Sequence, residues 1–230
     1  MKKHLLAAAI MAVSLTAKAE ISANLAGASD YRFRGISQTQ LDPAIQGGVD
    51  YTHASGAYLG TWASNVSKAF YPGGTGQEID VYGGYRTELA GIGIDVGVLR
   101  YNYPSTTADF DTNEVYVGIS KGPVTFKTSY STTDYFGTAN TQGTRYYDLG
   151  VSIPAGPVTL VAHAGYTDVA NQSTNDYADY SVGVTGDVAG VTLAAKYYTN
   201  NLTEAYKTTN TVEGKKLYKD AVVFSVTKTF

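Results

Sequence analysis

The sequence predicts an all-β chain, folded as a closed antiparallel up-and-down transmembrane β-barrel of about 12 strands. Three observations predict it. A dozen segments alternate apolar and polar residues over the length that a tilted strand needs to cross a bilayer, about 9–11 residues. The connections between them alternate strictly between short and long. The chain then ends inside its last strand, on an aromatic residue.

That last stretch, Ala221–Phe230, reads AVVFSVTKTF. Val222, Phe224, Val226, Lys228 and Phe230 share one face, and Val223, Ser225, Thr227 and Thr229 share the other. Such a strand separates two different solvents. Chain ends in water usually fray and are polar. This one resembles the terminal strand of bacterial outer-membrane barrels, in which a closing Phe is similar to the signal read by the barrel-assembly machinery. Val222, Phe224, Val226 and Phe230 are therefore the candidate assembly signal.

Met1–Ala19 opens with Lys2 and Lys3, continues through the apolar run Leu5–Leu15 and closes on Ala17-Lys18-Ala19. This is the pattern of a signal peptide, with cleavage expected before Glu20. The run is too short for a spanning helix, which needs about 20 residues. Residues 20–230 are expected to form one domain, the barrel.

Removing the leader takes three lysines from a chain with 17 basic and 20 acidic residues, leaving a net charge of about −6. Nucleic acid would call for a basic stripe instead. With no cysteine there is no disulfide framework, thiolate metal site or cysteine nucleophile. Twenty tyrosines and 25 glycines are many, and tyrosine suits the boundary between lipid and water.

The candidate strands are 20–30, 43–53, 56–66, 77–89, 91–103, 112–121, 123–133, 144–154, 157–168, 177–187, 190–200 and 217–230. The short links are His53–Gly56, Leu89–Gly91, Lys121–Gly122, Pro154–Pro157 and Asp187–Gly190, each with glycine. The long ones are Tyr31–Asp42, Ser67–Gly76, Pro104–Asp111, Asp134–Gly143, Val169–Asp176 and Asn201–Lys216. An up-and-down barrel has such an alternation, with tight periplasmic turns and longer outer loops. A Greek-key sandwich has no reason to keep it.

In the first strand, Ile21, Ala23, Leu25 and Gly27 oppose Ser22 and Asn24. In the fourth, Ile79, Val81 and Tyr85 oppose Glu78, Asp80, Tyr82 and Arg86; in the fifth, Ile92, Ile94, Val96 and Val98 oppose Asp95 and Tyr101. Val115, Val117 and Ile119 oppose Glu114 and Tyr116 in the sixth, and Leu160 and Ala162 oppose His163 in the ninth. Leu193, Ala195 and Tyr197 oppose Lys196 in the eleventh. A lysine or arginine facing lipid at mid-bilayer costs about 2–4 kcal/mol, so the charged faces belong inside. The expected lumen lining is Asp50, Glu78, Asp80, Glu88, Asp95, Glu114 and Asp148, opposed by Arg86, Lys127 and Lys196, with His163.

Tyr31–Gln40 (YRFRGISQTQ) followed by Asp42–Tyr51 (DPAIQGGVDY) resembles the opening signature of the TorF family of porins. Gly60–Val66 (GTWASNV) and Glu78–Tyr85 (EIDVYGGY) resemble later blocks of that family. The resemblance implies an outer-membrane barrel more strongly than it implies a substrate.

No pattern of catalytic or cofactor residues accompanies these features. His53 falls in a predicted turn and His163 on a predicted lumen face, neither beside a metal or triad motif. Twelve strands also suit an outer-membrane phospholipase, but its Ser–His chemistry would sit on the barrel exterior. Gly73–Gly76 (GGTG) lacks the strand, helix and lysine of a phosphate cradle. Asp109, Asp111 and Asp176 show no calcium-loop spacing. The expectation is no enzyme and no cofactor. The expected partners are outer-membrane lipid and lipopolysaccharide, the barrel-assembly machinery and periplasmic chaperones, with no nucleic acid and the oligomeric state open.

Two functions fit these features. One is a porin-like channel for passive diffusion of small polar solutes or ions, mildly cation-preferring. The other is a closed structural or adhesive barrel acting through its surface loops. Twelve strands lie between the eight that side chains fill and the 16–18 that leave an aqueous channel.

Overall fold

A computed structural model describes residues 19–230; the predicted leader Met1–Ala19 lies, apart from Ala19, outside the described residues. In chain order the strands are β1 (Glu20–Ala28), β2 (Arg32–Phe33), β3 (Ile36–Ser37), β4 (Ala44–Thr52), β5 (Ala57–Asn65), β6 (Gln77–Leu89) and β7 (Ile92–Asn102). They continue with β8 (Thr112–Lys121), β9 (Val124–Ser131), β10 (Arg145–Ala155), β11 (Val158–Asp168), β12 (Tyr177–Val188), β13 (Val191–Asn200) and β14 (Ala221–Thr229). Among the described residues one short α-helix, α1 (Glu204–Thr209), lies between β13 and β14, and a single 3-10 turn, Ser173–Asn175, precedes β12.

All strands except the β2–β3 hairpin join in one closed antiparallel barrel, each paired with its chain neighbours, and β14 returns to β1. At the seam Asn24 faces Thr229 and Ala28 faces Ser225. The backbones of Ala23 and Phe230 exchange hydrogen bonds of 2.9 and 3.4 Å, so the last residue completes the closing ladder. Closure leaves no strand edge, the condition for a sheet to satisfy its backbone in lipid.

One end carries the tight turns. Ala90-Gly91 and Ala189-Gly190 have positive φ at both positions (53° and 75°; 50° and 79°), the two-residue turn whose twist matches that of the flanking strands. The long connections and α1 gather at the other end.

Between its two ends the outward face is mainly apolar. Ile21, Ile45, Leu59, Val98, Val182 and Phe224 are among its exposed residues. Tyr51 and Tyr85 lie outward toward the turn end, and Tyr130, Tyr166, Tyr180 and Tyr197 toward the loop end. Aromatic girdles of this kind flank the apolar band of outer-membrane barrels.

Strand bounds follow the sequence closely, with 77–89 and 112–121 unchanged. The last strand differs, starting at Ala221 rather than 217. The Leu217 carbonyl accepts from Ser37 N at 3.0 Å and from Arg32 Nη1 at 3.2 Å, and Arg32 Nη1 also reaches Lys219 O at 2.8 Å. Acceptors that a ladder would use are thus taken by the first connection.

Candidate functional site

The first long connection does not stay outside. Its segment Tyr31–Gln40, carrying the β2–β3 hairpin, folds back into the loop end of the barrel and touches its wall in several directions. The Tyr31 hydroxyl donates to Glu78 of β6 at 3.0 Å, and its ring meets Trp62 of β5 edge-on at 5.4 Å. Phe33 meets Tyr101 of β7 at 5.5 Å. Arg34 Nη2 lies 2.8 Å from Glu114 of β8. Tyr177 of β12 donates to the Arg34 carbonyl at 3.0 Å.

The sequence shapes this segment locally. Arg34 and Gly35 both have positive φ (47° and 79°), giving a tight hairpin, and a Cβ on Gly35 would lie 2.7 Å from Cβ of Asp179. Only glycine lets the tip approach β12 so closely. Asp30 anchors the base, accepting from Arg32 Nε at 2.5 Å, Ser37 Oγ at 2.6 Å and Thr39 Oγ1 at 3.0 Å. Tyr71 and Tyr103, stacked at 4.3 Å, pack with Phe33, Phe110 and Phe136 along one side. These packed surroundings, with Glu78 and Asp80 nearby, hold the Tyr31 hydroxyl well above the ordinary tyrosine range.

All eleven residues expected to line the lumen lie on the inward face of their strands. Glu78, Asp80 and Glu114 are buried under the inward-folded segment. Arg86 pairs with Asp95 at 3.0 Å and lies 3.9 Å over the Tyr58 ring, while the Tyr58 hydroxyl donates to Asp95 at 2.6 Å. Asp50 accepts from Tyr82 at 2.7 Å. Lys127 lies 4.7 Å over the Tyr116 ring, and His163 lies 3.5 Å from Asp148. Lys196 stands opposite Gly183 in the β12–β13 ladder, and Glu88 is exposed toward the turn end.

The structure adds residues that alternation alone does not single out. Asp179 is buried on the inward face of β12, accepts from Tyr146 at 3.0 Å and lies 3.6 Å from His163. Tyrosines cover inward-facing glycines: Tyr82 pairs with Gly60, Tyr58 with Gly84 and Tyr116 with Gly97. Each glycine lacks the Cβ that would strike the neighbouring ring. The joint excess of tyrosine and glycine was the visible signal for this packing. The acids Asp109, Asp111 and Asp176 serve their own loops. Asp111 pairs with Arg100 at 2.7 Å, Asp109 accepts from Asp111 N at 3.1 Å, and Asp176 accepts from Val169 N at 2.7 Å.

The family described as "Bacterial protein of unknown function (Gcw_chp)" matches residues 13–230. The chain belongs to this family. No curated protein matches it in sequence. Among solved structures, the barrel is similar to KdgM porin, at 8% identity over 91% of this chain and 98% of that one, with a TM-score of 0.55. It is likewise similar to NanC porin, at 10% identity over 89% and 97% of the two chains, also with a TM-score of 0.55. An active-site mutant of outer membrane phospholipase A from Escherichia coli aligns at 10% identity over 95% and 94%, with a TM-score of 0.51. At these identities the likeness is one of fold. The match agrees with the closed antiparallel barrel expected from the sequence, while the TorF name finds no counterpart in it.

Proposed function

We propose that this Gcw_chp-family chain is an outer-membrane porin-like channel for passive diffusion of small polar solutes or ions, narrowed at its outer end by Tyr31–Gln40. The carrying observation is the interior below that segment. Arg86, Asp95, His163 and Asp148 keep 22%, 23%, 24% and 30% of their side-chain surface exposed, which supports a polar, wetted lumen there over a filled one. The apolar outward band supports a lipid setting, since soluble proteins rarely expose contiguous apolar surface on that scale. The leader, the terminal Phe230 and the aromatic girdles support export and assembly in the outer membrane through the barrel-assembly machinery and periplasmic chaperones.

His163 faces inward among Asp148, Asp179 and Tyr146, away from lipid. A mild cation preference is assigned to Asp50, Glu88 and Asp148, because Glu78, Asp80 and Glu114 are withdrawn from water.

Refolded protein in a planar bilayer under a salt gradient tests this. Asp50→Asn, Glu88→Gln and Asp148→Asn together are expected to move the reversal potential toward anions. The difference should shrink at high salt, as the Debye length falls from about 10 Å at 0.1 M to about 3 Å at 1 M. The burial of Tyr31–Gln40 across the loop end favours a second reading, a closed barrel acting through its loops. An absence of conductance across the pH range that titrates carboxylates would support it instead.

A further inference from the structure

Glu78 and Asp80 stand two residues apart on the inward face of β6, against the seat of Tyr31, with only 1% and 7% of their surface exposed. Glu78 accepts the Tyr31 hydroxyl on Oε1 and has the Tyr103 hydroxyl beside it as a second donor, whereas Asp80 Oδ1 has no hydrogen-bond partner. Among the described residues no cationic side chain lies within ion-pair distance of either carboxyl. Arg34, the buried guanidinium of this region, is committed to Glu114 and the Tyr135 hydroxyl.

The other groups facing the pair offer no further cation. Tyr31 comes from the inward-folded segment, Tyr71 from the connection after β5, Tyr101 from β7 and Tyr103 from the residue beyond it. Glu114, from β8, adds a third carboxylate. Of these three buried carboxyls only Glu114 has a guanidinium partner, and Lys127 of β9 also acts on Glu114, so the positive charge of the region is spent there. Carboxylates buried without partners are strongly disfavoured, and a buried acid commonly meets this by keeping a proton, which also makes it a hydrogen-bond donor.

We propose that Glu78 and Asp80 form a proton-held latch for the Tyr31–Gln40 segment: a proton on the pair keeps the segment seated, and its loss drives the segment out. The consequence for flow rests on the channel reading above; the movement does not. The seated state holds a proton that the released state, with its carboxylates hydrated, gives up near the ordinary carboxylate range. Seating is therefore favoured at low pH and lost as pH rises. Tyr31 is not the switch, because burial places its hydroxyl well above the ordinary range.

The single tryptophan, Trp62, touches Tyr31 and reports on the seat. Acrylamide quenching of Trp62 in refolded full-length protein is expected to rise several-fold from acid to alkaline pH. Asp80→Asn, neutral at every pH and nearly the same shape, should keep Trp62 protected throughout. Glu78→Gln, if Asp80→Asn misfolds, should do the same. Quenching of the wild type that is flat with pH, or a neutral variant that titrates like the wild type, would overturn the latch. So would Ca²⁺ or K⁺ restoring protection at constant alkaline pH, since the occupant would then be a metal ion. Bilayer conductance recorded in parallel separates the two readings. A pH-dependent Trp62 without conductance keeps the latch and removes the channel, whereas conductance with a pH-flat Trp62 does the reverse.

Discussion

Arg34 grips Glu114 with one nitrogen, Nη2 lying 2.8 Å from Oε1 and 2.9 Å from Oε2, across 80 residues of sequence. Its other nitrogen donates to Tyr135 at 2.9 Å, and the guanidinium lies 4.2 Å over the Tyr146 ring. The pair joins the inward-folded segment to the far wall. Losing one partner leaves a buried unpaired charge, a cost of about 3–5 kcal/mol. Arg34→Ala should therefore lower stability by about that much in urea and free the segment. Arg34→Met combined with Glu114→Gln, which removes both charges, should lose far less. Equal losses would mean that the pair contributes nothing.

Gly35 offers an independent way to loosen the same segment. Alanine there meets both an unfavourable left-handed backbone, about 1–2 kcal/mol, and a clash with Asp179. Gly91→Ala meets only the backbone term, because nothing lies within 4 Å of its added Cβ. Gly35→Ala should lower the urea midpoint more than Gly91→Ala and should raise Trp62 quenching. Indistinguishable midpoints would contradict the close seating of the tip on β12.

The last connection is pH-sensitive in the opposite direction from the proposed latch. Burial pushes the Asp220 carboxyl up, but hydrogen bonds from Lys207, Tyr197 and Thr199 outweigh it and hold that carboxyl below its usual range. Lys207 Nζ lies 2.9 Å from Asp220 and Tyr197 Oη lies 2.9 Å from it. A group so shifted stabilises fully above the ordinary carboxylate range and stops doing so as pH falls through its lowered value. Protection of the amides of residues 204–220, with exchange corrected for its intrinsic pH dependence, should fall at acid pH in the wild type. Asp220→Asn should be less protected at neutral pH, with little further loss in acid.

Phe230 is exposed on the outward face, and its backbone closes the ladder with Ala23. Deleting it should lower the yield of folded, heat-modifiable barrel in the outer membrane. Normal accumulation without it would remove the assembly role given to Phe230.

The barrel was legible because period-two alternation and glycine turns are local signals. His53–Gly56 and Lys121–Gly122 announce their turns within a few residues. The inward fold of Tyr31–Gln40 was not legible, because Arg, Ser, Gln and Thr read equally well as an exposed loop. Its partners lie 47, 80 and 143 residues away, in Glu78, Glu114 and Tyr177. Asp179 was obscured because β12 carries tyrosine on both faces, Tyr177 inward and Tyr180 outward, so that aromatic position does not mark the lipid side. Type and parity in the strands put these acids on the inward face, but which of them meet water depends on where the first connection lies.

Ala28 and Ala44 face each other in the β1–β4 ladder, so a short glycine-serine turn can replace residues 30–42 without stretching the barrel. Single-channel conductance of that variant against the wild type tests the central claim, a wetted barrel narrowed by its own first connection. The expected result is a conductance several-fold above the wild type, open at every pH. A folded variant with wild-type conductance, or with none, would contradict it.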